Sequence, residues 1–211
     1  YDYDNRMLNG NTRDDGSECG FGGCLYTRPT DRSDSFTNLS PELGLRFDLN
    51  DIQMLYIRAS RGYRAPQATE LYRLQKGQVV ADLDSETLVS LEIGLKGATE
   101  QLGYELIAYG MRKDHFIFRD ANGFNISDGK TRHLGVEALL RWQATEQLAI
   151  SGNLSWAQHE YDFTRDLGRG EVILKGNEVD TAPTWLGALR LIWQHTEDLA
   201  VELEWVYQGA Y

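Results

Sequence analysis

The chain has 211 residues, 41% of them hydrophobic and 25% charged, the balance of an ordinary folded protein of one domain or two. Its formal net charge of −11 argues against a nucleic-acid partner, which requires a basic face. No run approaches the ~18 consecutive apolar residues of a transmembrane helix; spanning β-strands alternate polar and apolar residues and stay open.

The chain begins abruptly at YDYDNR with no signal peptide, so either such a segment has been removed or this is an internal piece of a longer protein. A long, glycine-rich connection follows over Met7–Asn38. It holds Cys19 and Cys24 in CGFGGC, a pair expected to close a local disulfide in an oxidising compartment. A metal site would need more ligands nearby, and no helix follows to make CGFGGC a nucleotide loop.

Period-two alternation then marks the strands. Leu43, Leu45, Phe47 and Leu49 open the series. Val89, Leu91, Ile93 and Leu95 alternate with Ser90, Glu92, Gly94 and Lys96. Gln101–Phe118 is apolar on both faces around Leu106–Tyr109, yet Tyr, Ile and Phe make it a strand. Leu134–Trp142, Leu148–Trp156 and Leu199–Tyr207 alternate in turn. The phrase ATEQL stands at Ala98–Leu102 and again at Ala144–Leu148, with HTEDL at His195–Leu199. It is a tight polar turn between long strands. Such turns fall near Asn50, Thr99, Thr145 and Thr196. Long connections separate them over Met7–Asn38, Tyr63–Ser85, Asp120–Gly129 and Asp162–Pro183. Short and long alternate throughout, which is an up-and-down antiparallel meander with one smooth end and one looped end.

Strand length separates a soluble sandwich from a membrane barrel. Sandwich strands average about 5–6 residues, whereas these runs last about 9–14, the span of a bilayer by a tilted strand. Trp185 and Trp193 share one face of one strand and stand roughly 20 Å apart along the normal, as two aromatic belts require. Trp142 lies beside its short turn, and Trp205 and Tyr207 complete the expected interface aromatics. Arg46, Asp48, Glu92, Lys96, Glu137, Arg141, Glu202 and Glu204 would then line a wet lumen. The expected fold is all-β, an antiparallel up-and-down transmembrane β-barrel fragment of about 8–9 strands, the first truncated at Tyr1. Lacking both ends of the barrel, it would expose two unpaired edges.

Four motifs on these strands carry a resemblance. RASRGYRAPQATELYRLQKG (Arg58–Gly77) contains Arg61, Gly62, Tyr63, Arg64, Ala65 and Pro66 followed by Glu-Leu. NLSPELGLRFDL (Asn38–Leu49) precedes it, and DLDSETLVSLEIGLKG (Asp82–Gly97) and GKTRHLGVEALLRW (Gly129–Trp142) follow it. In this order they resemble the TonB-dependent outer-membrane receptors, of the ferric-siderophore type. The resemblance implies a 22-stranded barrel occluded by a plug. It implies residence in the bacterial outer membrane, among its lipid and lipopolysaccharide. It also implies energised uptake of a scarce nutrient, an iron chelate first, cobalamin or a glycan otherwise. Energy would come from the TonB complex of the inner membrane. Residues 1–211 would be part of the barrel domain, without plug, TonB-gripped segment or final strands. No cofactor is implied.

Physics accounts for the signature in part. Pro66 donates no amide, so the strand's ladder ends there, and Gly62 permits a bend or bulge at the rim. QATELYRLQ is expected to make a short helical turn. Tyr63, Arg64, Tyr72 and Arg73 are either loop architecture or direct ligand contacts. Tyr26, Arg28 and Arg32, with Arg13 and Phe21, suit an anionic aromatic ligand such as a ferric catecholate. The alternative there is a solvated loop stapled by Cys19 and Cys24.

Catalytic chemistry is not evident. His115, His133, His159 and His195 are widely separated in sequence, and adjacent strand residues such as His159 and Glu160 point to opposite faces. Neither a Gly-x-Ser-x-Gly elbow nor a metal-ligand cluster stands in the sequence. Asp162, Asp166, Glu171 and Asp180 share one outer loop, a solvated acidic stretch first, with calcium binding or a place near lipopolysaccharide cations as the alternatives. A passive porin-like channel and a barrel phospholipase are the competing readings; the second lacks a serine and histidine on adjacent rims.

Overall fold

The computed structural model describes residues 2–4, 26–27, 32–75, 77–78, 80–180 and 182–210. Its strands are β1 (Asp2–Asp4), β2 (Tyr26–Thr27), β3 (Ser33–Ser35), β4 (Glu42–Asn50), β5 (Gln53–Arg64), β6 (Leu74–Gln75) and β7 (Glu86–Ala98). They continue as β8 (Leu102–Arg119), β9 (Asn125–Gln143), β10 (Leu148–Tyr161), β11 (Arg165–Gly168), β12 (Glu171–Ile173), β13 (Trp185–Thr196) and β14 (Leu199–Gln208). One short helix, α1 (Ala68–Tyr72), lies between β5 and β6.

Eight strands form a single antiparallel sheet in the order β14-β13-β10-β9-β8-β7-β5-β4, each beside its neighbour in the chain's meander. This is the expected architecture. The segment at the start does not add a ninth strand to it: β1 pairs with β3 in a separate two-stranded ladder. Strands β4 and β14 are the two ends of the sheet order.

β8 spans 18 residues, within one residue of the strand expected over Gln101–Phe118, whereas β9 at 19 residues starts earlier than expected, so the connection foreseen over Asp120–Gly129 shrinks to a turn at Asp120–Phe124. Asp120 Oδ1 accepts the amides of Asn122 and Phe124, both at 2.9 Å, and Gly123 takes φ +79° to close the turn. The hairpin therefore rises well past the shorter strands beside it.

Alternation sorts the sheet into two faces. Leu45, Ile57, Ile93, Ala108, Val136, Trp156 and Trp185 stand side by side across seven strands on the apolar face. Large apolar side chains there lie open, Leu91 at 59% and Leu203 at 64% exposure, so the face is not a core packed within this chain. The opposite face pairs its charges across strands. Lys96 meets Glu105 at 2.9 Å, the Tyr56 hydroxyl donates to Glu105 at 3.1 Å, and Arg190 meets Glu202 at 2.6 Å.

The register fixes the tilt. Gln53, Gly97, Tyr104, Leu140, Gly152, Leu189 and Trp205 form one row. Beyond it the successive short turns run on, from Asn50/Gln53 in the row itself to Ala98/Gly103, Gln143/Ala149 and Gln194/Ala200. If these turns share one plane, the stagger is about one residue per strand. With ~3.4 Å rise and ~4.8 Å spacing that is a tilt of about 35°, the value of a closed barrel wall. Aromatic residues follow the stagger: Tyr104, Trp142 and Trp193 each lie one residue inside the last of those pairs of their turn, all on the apolar face. At the other end Tyr63, Trp156, Trp185 and Tyr207 reach a common height to within about two residues by the same correction. Trp205 sits two residues deeper than Tyr207 and stacks on it at 5.8 Å.

Candidate functional site

At the looped end, residues after β5 fold back over the polar face. The ladder of β5 and β7 ends at Arg64 opposite Glu86, two residues before Pro66, as the missing proline amide requires. Register runs unbroken through Gly62, so the bulge expected there is absent. Helix α1 then forms where foreseen, with Glu70 reaching back to accept the Gln67 amide at 2.6 Å. Leu71, Tyr72 and Leu74 bury against Ala81, Leu83 and Ile117, a small apolar cluster that caps this end.

Arg64 ties cap to wall. Its Nε and Nη2 donate to both oxygens of Glu86 at 2.9 Å, and Nη1 and Nη2 donate to Glu70 at 2.9 and 3.1 Å. One guanidinium thus forks onto two carboxylates, which its planar donor set permits and a lysine's does not. Glu86 also accepts the Ile117 amide at 2.8 Å and pairs with Lys113 at 2.9 Å, while only 4% exposed. Burial alone would raise the Glu86 carboxyl, but Arg64, the Ile117 amide and Lys113 outweigh it and hold it down to about 2. Folding therefore binds fewer protons at Glu86. Its contribution is full above about pH 4.5, the ordinary value, and is lost as pH falls through about 2. Amide exchange over residues 66–85 is expected to stay slow at pH 5, after correction for intrinsic rate, and to accelerate by pH 2.

The candidate binding residues sort accordingly. Arg64 is spent on Glu70 and Glu86. The Tyr72 ring is buried and its hydroxyl donates to Asp34 at 2.7 Å, within a network in which Arg32 pairs with Asp34 and, at 3.5 Å, with Asp82. Tyr63 stands on the apolar face, level with the other aromatic residues of that end, and Arg73 is exposed. Arg61, also on the apolar face, donates to the Leu39 carbonyl at 3.1 Å; Ala65 and Pro66 are buried in the cap. Cys19, Cys24 and Arg28 lie outside the described residues. Tyr26 contributes backbone to β2, paired with β6 beside the cap.

A polar cleft of about 610 Å³ opens at this end, lined by Asp82, Asp84, His115, Asn125, Lys130 and Arg165 among others. Its size suits a small molecule. His115 reaches it through a bulge between Asp114 and Phe116, with φ +59°, a strained turn for a non-glycine residue. The sequence reading missed this group because its members are spread over more than 80 positions. It also missed that His133 and His159 are register partners with their Nδ1 atoms 2.7 Å apart. The acidic loop carries no metal cluster among the described residues; Asp162 instead pairs with Lys175 at 2.7 Å.

The sequence model described as "TonB dependent receptor-like, beta-barrel" matches residues 1–211. The chain belongs to that family. No curated protein sequence matches it significantly. Among solved structures, the ferric-catecholate import receptor Fiu from K12 E. coli aligns over 99% of this chain and 30% of its own. The TM-score is 0.70 at 18% identity. The copper transporter OprC aligns over 84% of this chain and 27% of its own, with TM-score 0.68 and 18% identity. The siderophore receptor PiuA from Acinetobacter baumannii gives 84% and 26%, with TM-score 0.64 and 15% identity. Identities this low speak to the fold alone. The chain spans a quarter to a third of the length of these three, so the eight-stranded sheet is a section of a larger barrel wall.

Proposed function

We propose that this chain is wall and looped rim of an outer-membrane receptor that takes up a scarce nutrient with energy delivered through TonB, a ferric siderophore first among candidates. The family match over the whole chain carries the reading. The two aromatic levels support a membrane setting: Trp193 and Trp185, eight residues apart on a strand tilted about 35°, bracket roughly 22 Å of apolar face. In this reading the apolar face meets lipid, the polar face lines the lumen, and the cleft at Lys130 and Arg165 receives ligand from outside. The proteins named above are called receptors or transporters, and on that likeness we read this chain as a non-enzyme.

Deletion of the whole gene is expected to abolish growth on a ferric catecholate as sole iron source, and loss of TonB should do the same. Growth that persists without TonB would favour a passive channel. Because one similar structure is called a copper transporter, copper accumulation belongs in the same assay. A defect confined to copper, cobalamin or a glycan would reassign the ligand.

A further inference from the structure

The polar face holds one row without a carboxylate, ammonium or guanidinium group. Ser60, Ser90, Met111, His133 and His159 stand side by side across β5, β7, β8, β9 and β10. The rows on either side are charged, with Lys113 towards the looped end and Arg58 beside Glu92 towards the short turns. The two serines satisfy each other, their hydroxyl oxygens 2.7 Å apart. The two histidines, both half-buried, meet differently.

Their Nδ1 atoms lie 2.7 Å apart and their ring centroids 5.0 Å apart. Each ring thus adds about one ring radius to the gap, so the two nitrogens face each other head-on. A single proton fits between them, with one imidazole donating and the other accepting. The far side of His133 is held as well, because its Nε2 is 2.9 Å from the Thr131 hydroxyl. When that oxygen accepts the Nε2 proton, Nδ1 is left bare and aimed at His159. An outer partner of this kind fixes the tautomer of metal-binding histidines.

Two bare nitrogens aimed at one point make a seat for a metal ion, and the rest of the site selects which. Zinc takes four ligands in a tetrahedron, and no third His, Cys, Asp or Glu joins the pair among the described residues. Copper(I) accepts two ligands in line, and imidazole and thioether are both donors that suit it. The thioether of Met111 is the next side chain in the row. Lys113, one row away, is held by Glu86 at 2.9 Å, and what repulsion remains is smaller for a monovalent ion than for a divalent one. With metal–nitrogen bonds of ~2.0 Å the two nitrogens separate to ~4 Å, which a swing of roughly 10° about χ1 at each histidine supplies within its rotamer well.

We propose that His133 and His159 bind copper(I) between their Nδ1 atoms. The ion replaces the shared proton, which moves to Nε2 of the histidine that carried it. The site goes beyond the uptake reading and holds whatever nutrient the receptor carries.

The test uses the intact receptor, purified in detergent, stripped of metal and titrated with copper(I) against a chromophoric chelator in the absence of oxygen. Wild type is expected to bind one more copper(I) ion per receptor than His133→Asn with His159→Asn. The asparagines preserve a hydrogen bond between the strands, so the melting temperature reports separately on folding. Zinc(II) should need at least tenfold more to displace that ion than copper(I) needs to fill the site. Equal copper(I) stoichiometry in wild type and the folded double variant would overturn the proposal, and so would zinc(II) displacing the ion mole for mole. If the double variant does not fold, copper X-ray absorption of the wild type decides: scattering from imidazole neighbours supports the site, and sulfur neighbours alone overturn it. Growth on the ferric catecholate and its dependence on TonB test the uptake reading, and they stay the same under either outcome.

Discussion

Glu86→Ala is expected to free the cap from the barrel end, lowering the cost of opening residues 66–85 by about 3 kcal/mol while the sheet below stays folded. The carboxylate gathers the Arg64 bridge, the Ile117 amide and Lys113 at one point where cap and wall meet. It takes two bonds from Arg64, one from the Ile117 amide and an ammonium from Lys113. Removing it leaves Lys113 and the amide without an acceptor and Arg64 with Glu70 alone, and an unanswered buried donor costs more than the bond it made. Hydrogen exchange on the intact receptor reads this directly. Amides of residues 66–85 and 115–119 should exchange about 100-fold faster at pH 7, and those of residues 89–98 should not change. Arg64→Lys should fall between, because a point charge cannot fork onto both carboxylates. Unchanged exchange in Glu86→Ala would mean that the apolar cluster at Leu71 and Leu74 and the bonds between Gln78 and Asn125 hold the cap without it.

Much of this architecture is legible along the chain because strand alternation and turn chemistry are local. Leu43 to Leu49, the ATEQL turns and the stop before Pro66 each follow from a few consecutive residues. The helix at Ala68–Tyr72 follows too, since Glu70 stands where it can cap Gln67. What depends on register is not local. Glu86 reads as one more polar residue in DLDSETLV, and only the pairing of Glu86 with Arg64, 22 positions away, shows it as an anchor. Tyr63 reads as the start of a loop. The strand in fact continues to Arg64 and puts Tyr63 on the apolar face, level with Trp156 and Trp185 after the stagger. Arg112 and Arg132 look like scattered charges until the hairpin lays them side by side.

Gly135→Ala is expected to destabilise the sheet by about 1–3 kcal/mol although it adds a single methyl group. Gly135 lies opposite Tyr109 on the polar face, and the tyrosine ring folds flat over it, so that a Cβ at Gly135 would overlap the ring. Gly94 and Tyr56 repeat the arrangement two strands of the meander earlier. In each pair the aromatic ring covers backbone that glycine leaves bare, which restores packing lost with the side chain. Substitution evicts the ring, and the eviction should be visible as coupling. Tyr109→Ala alone uncovers the glycine, but in Tyr109→Ala the added methyl at 135 has room, so the double variant should be more stable than the sum of singles by about 1 kcal/mol. Gly103 is the control, because a Cβ there meets no atom within 4 Å. Denaturation of the detergent-solubilised receptor should therefore separate Gly135→Ala from Gly103→Ala. Equal midpoints for the two would show that the ring swings aside freely and that the cross-strand pair contributes nothing to holding the wall.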